Sequence, residues 1–202
     1  MAFAKRRKEK HMNETMMLLV PEEIVKKALQ KSGAQVRIAC MSFPGTGIMG
    51  LFGTIDPEDG CFAVFNEPDL QEEELLKEAV NAMHPAVWRL SDLLPEAPDD
   101  VSVYVVSNQD NYYGASAIFH PVVQAALTKL FPDGYWLIPS SQHEFLAVPK
   151  CDNPQYLQHL LEINKEINRD VVGSDEVLTD GILELKNGTL VPAKLPEYKI
   201  WL

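Results

Sequence analysis

Cysteine is scarce in this chain: Cys40, Cys61 and Cys151 are odd in number and widely spaced, with no CxxC pair. That excludes a disulfide scaffold or a cysteine-rich zinc cage and fits reduced thiols in a cytosol. Long apolar runs are missing too. The longest early one is Met16 to Val20, too short for the core of a signal peptide, and no stretch approaches the roughly 20 residues of a membrane span. A soluble, cytoplasmic protein that does not engage membrane is expected. Positive charge is the third deficit, with 18 Lys and Arg against 29 Asp and Glu. Much of it sits in one place. Lys5, Arg6, Arg7, Lys8 and Lys10 oppose only Glu9, a local +4, so the other 192 residues carry −15 of the net −11. Such a body repels phosphate, so nucleic acid is not an expected partner except weakly through residues 5–10.

What is present points to a folded globule. Nearly half of the 202 residues are hydrophobic, enough to bury a substantial core. Residues 1–12 read as a disordered basic leader. Residues 13–94 read as an N-terminal α/β subdomain. PEAPDD (95–100), with two prolines and three acids, is the clearest linker. Residues 101–202 read as a C-terminal α+β domain.

Several segments declare their secondary structure. PEEIVKKALQKSG (21–33) predicts a helix with Pro21 in its first position, and QVRIACMS (35–42) a strand. MGLFGTI (49–55) and CFAVFNE (61–67) flank DPEDG as a hairpin. DLQEEELLKEAVNAM (69–83) predicts a helix capped by Asp69, with Leu75, Leu76, Ala79, Val80 and Met83 on one face. PAVWRLSDLL (85–94) predicts another helix, and VSVYVVSN (101–108) a strong strand. A helix follows from Pro121 to Leu130. WLIP (136–139) and EFLAVP (144–149) predict paired strands joined by Ser140 to His143. Asn153 caps and Pro154 opens a helix to residue 168, striped by Leu157, Leu160, Leu161, Asn164 and Ile167. Asn187-Gly188 suits a tight primed turn in a last hairpin. Connections too short for parallel crossovers imply an α+β fold, a largely antiparallel sheet with helices packed on it.

Two motifs lose their force in context. Gly45-Thr46-Gly47-Ile48-Met49-Gly50 has the dinucleotide spacing, but a strand and turn follow it where a helix N-terminus is required. Glu72, Glu73 and Glu74 point about 100° apart on a helix and cannot converge on a metal.

The function-like stretch is Ser140-Ser141-Gln142-His143-Glu144. Ser140 or Ser141, His143 and Glu144 supply the residue types of nucleophile, base and orienter. In a strand, however, His143 and Glu144 face opposite sides, so a catalytic set must borrow His120, His159 or Asp110. There is no Gly-x-Ser-x-Gly elbow either. A metal held by His143 and Glu144 would need further ligands. The expectation is therefore a non-catalytic binding or accessory protein without a cofactor or metal. Asn108, Tyr113, Gly114, Ser140, Ser141, His143 and Glu144 would surround its recognition site for an unknown protein or small-molecule partner. Asn164, an amide in an apolar stripe, is expected to bond residues 140–144 or the Asn108 elbow. The alternatives are a hydrolase or metal-dependent enzyme using Ser140, Ser141, His143 and Glu144, and an acidic decoy of a nucleic-acid-handling protein.

VYVVSN, NYYGASAIFHPVV, GYWLIPSSQHEFLAVP, EIN and EVLTDGILEL, in that order, resemble an uncharacterised family of Gram-positive gut bacteria that carries a domain of unknown function. The shared pattern is a strand ending in Asn, a Tyr-Gly-Ala step, an "LPSS-x-HE" segment and an Asn-bearing helix before a final hairpin. It spans about residues 101–190, with Ile138 where leucine is usual. The resemblance implies that PSSQHE is a family feature and brings no activity, substrate or cofactor.

Overall fold

A computed structural model describes residues 14–32, 37–56, 60–66, 71–96 and 102–194. The basic leader, the Asp69 cap and most of the DPEDG and PEAPDD segments lie outside the described residues. The fold is α+β with antiparallel sheets. Among the described residues the strands form two sheets.

In the first, β3 (Ile48–Ile55) is central. β1 (Met16–Pro21) lies along one edge, and β2 (Cys40–Phe43) and β4 (Phe62–Val64) share the other. Pro21 closes β1 rather than opening the helix, so α1 begins at Glu22 and runs to Ser32. Glu22–Lys26 and Glu23–Lys27 pair along its exposed face. Gly45 and Gly47 take positive φ in the turn from β2 into β3, where the Thr46 hydroxyl donates to the Phe43 carbonyl at 2.7 Å. A strand follows this glycine run, so it offers no helix N-terminus to a pyrophosphate.

The second sheet has the order β10-β9-β7-β8-β6-β5. Its strands are β5 (Pro85–Arg89), β6 (Tyr104–Asn108), β7 (Tyr135–Ser141), β8 (Glu144–Pro149), β9 (Leu183–Lys186) and β10 (Thr189–Pro192). The helix expected over 85–94 is instead β5 followed by a single turn, α3 (Leu90–Leu93). Local pattern lost to pairing here. Val87 and Trp88 suit a pleated surface, and β6 offers a full register from Pro85↔Asn108 to Arg89↔Tyr104. PEAPDD thus joins two paired strands of one sheet.

β7 is buried on both faces, which explains its unbroken apolar run. Leu137 joins Val106, Phe145 and Leu183 in a core shared with Met17, Leu19 and Phe52 of the first sheet. α2 (Glu72–Ala82) and α4 (Pro121–Leu130) close that core with Leu75, Ala79, Val123 and Leu127. Trp136 and Ile138 face the other way, onto Leu157 and Leu160 of α5 (Pro154–Asp170). The leucine stripe of α5 packs across this sheet as expected. Asn153 accepts from the Gln155 amide as its cap. Asn187 and Gly188 both have positive φ, as a primed turn demands.

Glu184 of β9 is buried between Lys150 and Lys186, whose ammonium groups lie 2.9 and 2.7 Å from one carboxylate oxygen. Burial disfavours its charge, but the two lysines outweigh burial and hold its pKa below the ordinary glutamate value. A depressed folded-state pKa adds stability above the unfolded value, and that stability is lost as pH falls through the folded one. Glu184→Gln should therefore lower the Tm at neutral pH, and the difference from wild type should shrink below about pH 4. A difference in Tm that is flat with pH would refute the pairing.

Candidate functional site

The β7–β8 hairpin carries the cluster to the end of the second sheet. β7 extends through Ser140 and Ser141, so only Gln142 and His143 form the connection, with a register shift between Ile138 and Ser141. Ser141 folds back on this tight turn, its hydroxyl oxygen accepting the His143 amide at 3.0 Å. Ser140 meets Glu144 instead, hydroxyl to carboxylate, at 3.5 Å. Burial raises the Glu144 pKa against the opposing pull of Ser140 and His143.

The residues after β6 supply the other half. Asn108 is buried, and its side chain closes an elbow by donating to the Tyr112 carbonyl at 2.8 Å and accepting the Tyr112 amide at 3.2 Å. Asn111 and Tyr113 take left-handed backbone at φ 51°, a conformation that costs a tyrosine energy and needs outside support. The support is His143. Its Nδ1 accepts the Tyr113 amide at 3.0 Å, while its carbonyl accepts the Ser107 hydroxyl at 2.8 Å. Gly114 then enters the 3-10 helix Gly114–Phe119. It passes so close that a Cβ there would lie 2.6 Å from the Asn108 amide nitrogen and 2.8 Å from the His143 carbonyl oxygen.

The imidazole ring also stacks against aromatic neighbours. It lies nearly parallel to Tyr113, 12° between planes at 5.6 Å, and 5.7 Å from Tyr112, whose ring centroid is 4.0 Å from that of Tyr113. The Tyr112 hydroxyl donates to that of Tyr113 at 3.1 Å. Burial and the Tyr112 contact push the Tyr113 pKa far above the ordinary tyrosine value, so this phenol stays neutral. With Nδ1 accepting, the ring proton sits on Nε2, which faces the Glu176 carboxylate at 3.4 Å. Glu176 also takes the Gln142 amide on its carbonyl at 3.1 Å.

Asn108, Tyr113, Gly114, Ser141 and His143 thus meet in one bonded cluster, with Ser140 and Glu144 paired beside it. Asn164 does not join them. Fully buried, it donates to the carbonyls of Thr179 at 3.1 Å and Gly181 at 3.3 Å. One turn on, Asn168 donates to Thr179 at 3.1 Å and to Asp180 at 2.9 Å. The expected bond to the hairpin tip fails because residues 171–182 intervene between α5 and the tip. The two amides pin that connection, and the connection carries Glu176. His120 caps α4 through Val122, and His159 is exposed on α5. Neither borrows into the cluster. Among the described residues no three His, Cys, Asp or Glu side chains gather as a metal-holding group, and no helix is long and apolar enough to cross a membrane. Ser107 and Glu176 were missed by sequence reasoning. Glu176 lies 33 positions beyond His143, and no spacing rule reaches that far.

A family model described as a family of unknown function, DUF5688, matches residues 62–184, from β4 to β9. The chain belongs to DUF5688. The matched stretch holds the elbow, the hairpin tip and Glu176 together, so the whole cluster falls inside the DUF5688 region. No curated protein matches the chain, and no solved structure does.

Proposed function

We propose that this DUF5688 chain is a non-catalytic recognition protein whose binding face is the hairpin tip and elbow. One observation carries the reading: both ring nitrogens of His143 are committed, Nδ1 to the Tyr113 amide and Nε2 to Glu176. A general base needs a free nitrogen within reach of the hydroxyl it activates. Here the Ser141 hydroxyl oxygen accepts a backbone amide, and the Ser140 hydroxyl faces Glu144. The histidine fixes a surface.

That surface suits a cationic group. Tyr112 is more than a third exposed, the Glu176 side chain is 39% exposed, and the chain is strongly acidic. An aromatic face beside a carboxylate attracts guanidinium or ammonium, with about 0.5–2 kcal/mol from the ring alone. The partner class is a basic segment of another protein. Titrating a short oligo-arginine peptide into isotope-labelled protein should move the amide resonances of residues 110–114, 142–144 and 173–176. Tyr112→Ala should weaken that peptide about threefold to tenfold. Peptide binding that Tyr112→Ala leaves unchanged would overturn the assignment, as would an ester hydrolysis that Ser141→Ala abolishes.

A further inference from the structure

We infer that His143 is a proton-operated latch: its neutral ring holds the Asn108–Gly114 elbow closed, and protonation releases it. The inference rests on the recognition reading only for its consequence, since the latch follows from hydrogen-bond geometry. A neutral imidazole has one donor and one acceptor nitrogen, whereas an imidazolium has two donors. The acceptor here is Nδ1, 3.0 Å from the Tyr113 amide nitrogen. A proton on Nδ1 sets two N–H groups against each other across that distance. The bond and the charge cannot coexist.

The elbow is poised to respond. Tyr113 and Asn111 both occupy left-handed backbone, which releases energy on opening. Other ties keep the elbow on the body when that bond is lost, among them the Asn108 amide to Tyr112, the Gln109 amide to the His84 carbonyl at 2.9 Å, the rings of His143 and Phe62 against Tyr113, and a longer contact from the Ala115 amide to the Gln142 carbonyl at 3.3 Å. Several groups face the ring. Two are carboxylates, Glu176 at Nε2 from the 171–182 connection and Glu144 from β8. Tyr112 and Tyr113 from the elbow are uncharged, as is Ser141 from β7. The Tyr113 amide is the donor that meets Nδ1. Acidification through the range where histidines titrate, between about pH 8 and pH 5, therefore replaces one amide bond with a tighter His143–Glu176 ion pair. Glu176, drawn onto the imidazolium, is withdrawn from a cationic partner at the same step.

The test is a pH titration of the full chain by amide and imidazole NMR. In wild type the resonances of Asn111, Tyr112, Tyr113 and Gly114 should move with one midpoint, shared with the His143 ring. His143→Gln supplies an amide oxygen that can accept from Tyr113 without titrating, so these resonances should stay fixed. Glu176→Gln removes a carboxylate that favours the charged ring and should shift the shared midpoint to lower pH. Binding of the oligo-arginine peptide should weaken about tenfold from pH 8 to pH 5 in wild type, about 1.4 kcal/mol, and much less in His143→Gln. Elbow resonances that stay flat while His143 titrates would overturn the latch, as would a His143→Gln chain that titrates like wild type. A peptide that binds at neither pH would remove the recognition reading and leave the latch to the resonance shifts alone.

Discussion

Gly114→Ala should be the most damaging small substitution at the tip, costing more than about 3 kcal/mol. A Cβ at 114 would overlap the Ser107 hydroxyl oxygen and stand 2.6 Å from the Asn108 nitrogen and 2.8 Å from the His143 oxygen. The hydroxyl can rotate away, though it would give up its bond to His143. The two backbone atoms cannot move without parting the elbow from the hairpin. For a chain of this size, Tm should fall by roughly 6–12 °C. Adding Ser107→Gly removes the hydroxyl and leaves both backbone clashes, so it should recover only a minor part. A loss below about 1 kcal/mol for Gly114→Ala, measured by urea unfolding, would mean that the two segments do not pack this closely.

Asn164→Leu should cost about 1–3 kcal/mol, although the side chains are similar in size. Two effects compete. Leucine removes both donated bonds, to Thr179 and Gly181, each worth about 1 kcal/mol, and leaves the Gly181 carbonyl without the amide's bond. It also removes a buried Oδ1 that meets no donor among the described residues, which returns part of that loss. Asn168 still holds Thr179, so the connection loosens rather than detaches. The loss of bonds outweighs the relief because a part-buried carbonyl stripped of its donor bears a penalty of its own. Ser140→Ala should cost less than about 1 kcal/mol, since its bond to Glu144 is already at 3.5 Å. The telling readout is remote. Asn164→Leu should shift the resonances of Gln142 and His143, which it does not bond, because residues 171–182 carry Glu176 to both. Unchanged tip resonances with unchanged stability would refute this role.

Much of this molecule was legible because its signals are local. Asn153-Pro154 capped α5 as written, Asn187-Gly188 turned the last hairpin, and the two apolar runs that flank DPEDG paired as β3 and β4. The tip's composition singled out the cluster, and the buried amide of Asn164 stood out within its apolar stripe. Those features need only a few neighbouring residues and a fixed helical or strand period. What the sequence by itself determined is therefore the α+β class, most of the elements, and that Asn108, Tyr113, Gly114, Ser141 and His143 belong to something polar and shared.

Tertiary structure decided the rest. Residues 85–89 became a strand because β6 offered a complete register, and no local propensity reports a partner across a connection. Asn164 found Thr179 rather than the tip, since backbone carbonyls in a returning segment are acceptors that leave no trace in side-chain pattern. His143 acquired its tautomer, and with it its role, from one amide 30 positions before it and one carboxylate 33 positions after it. A histidine's chemistry is set by what meets its two nitrogens, and only the folded chain brings those groups to it.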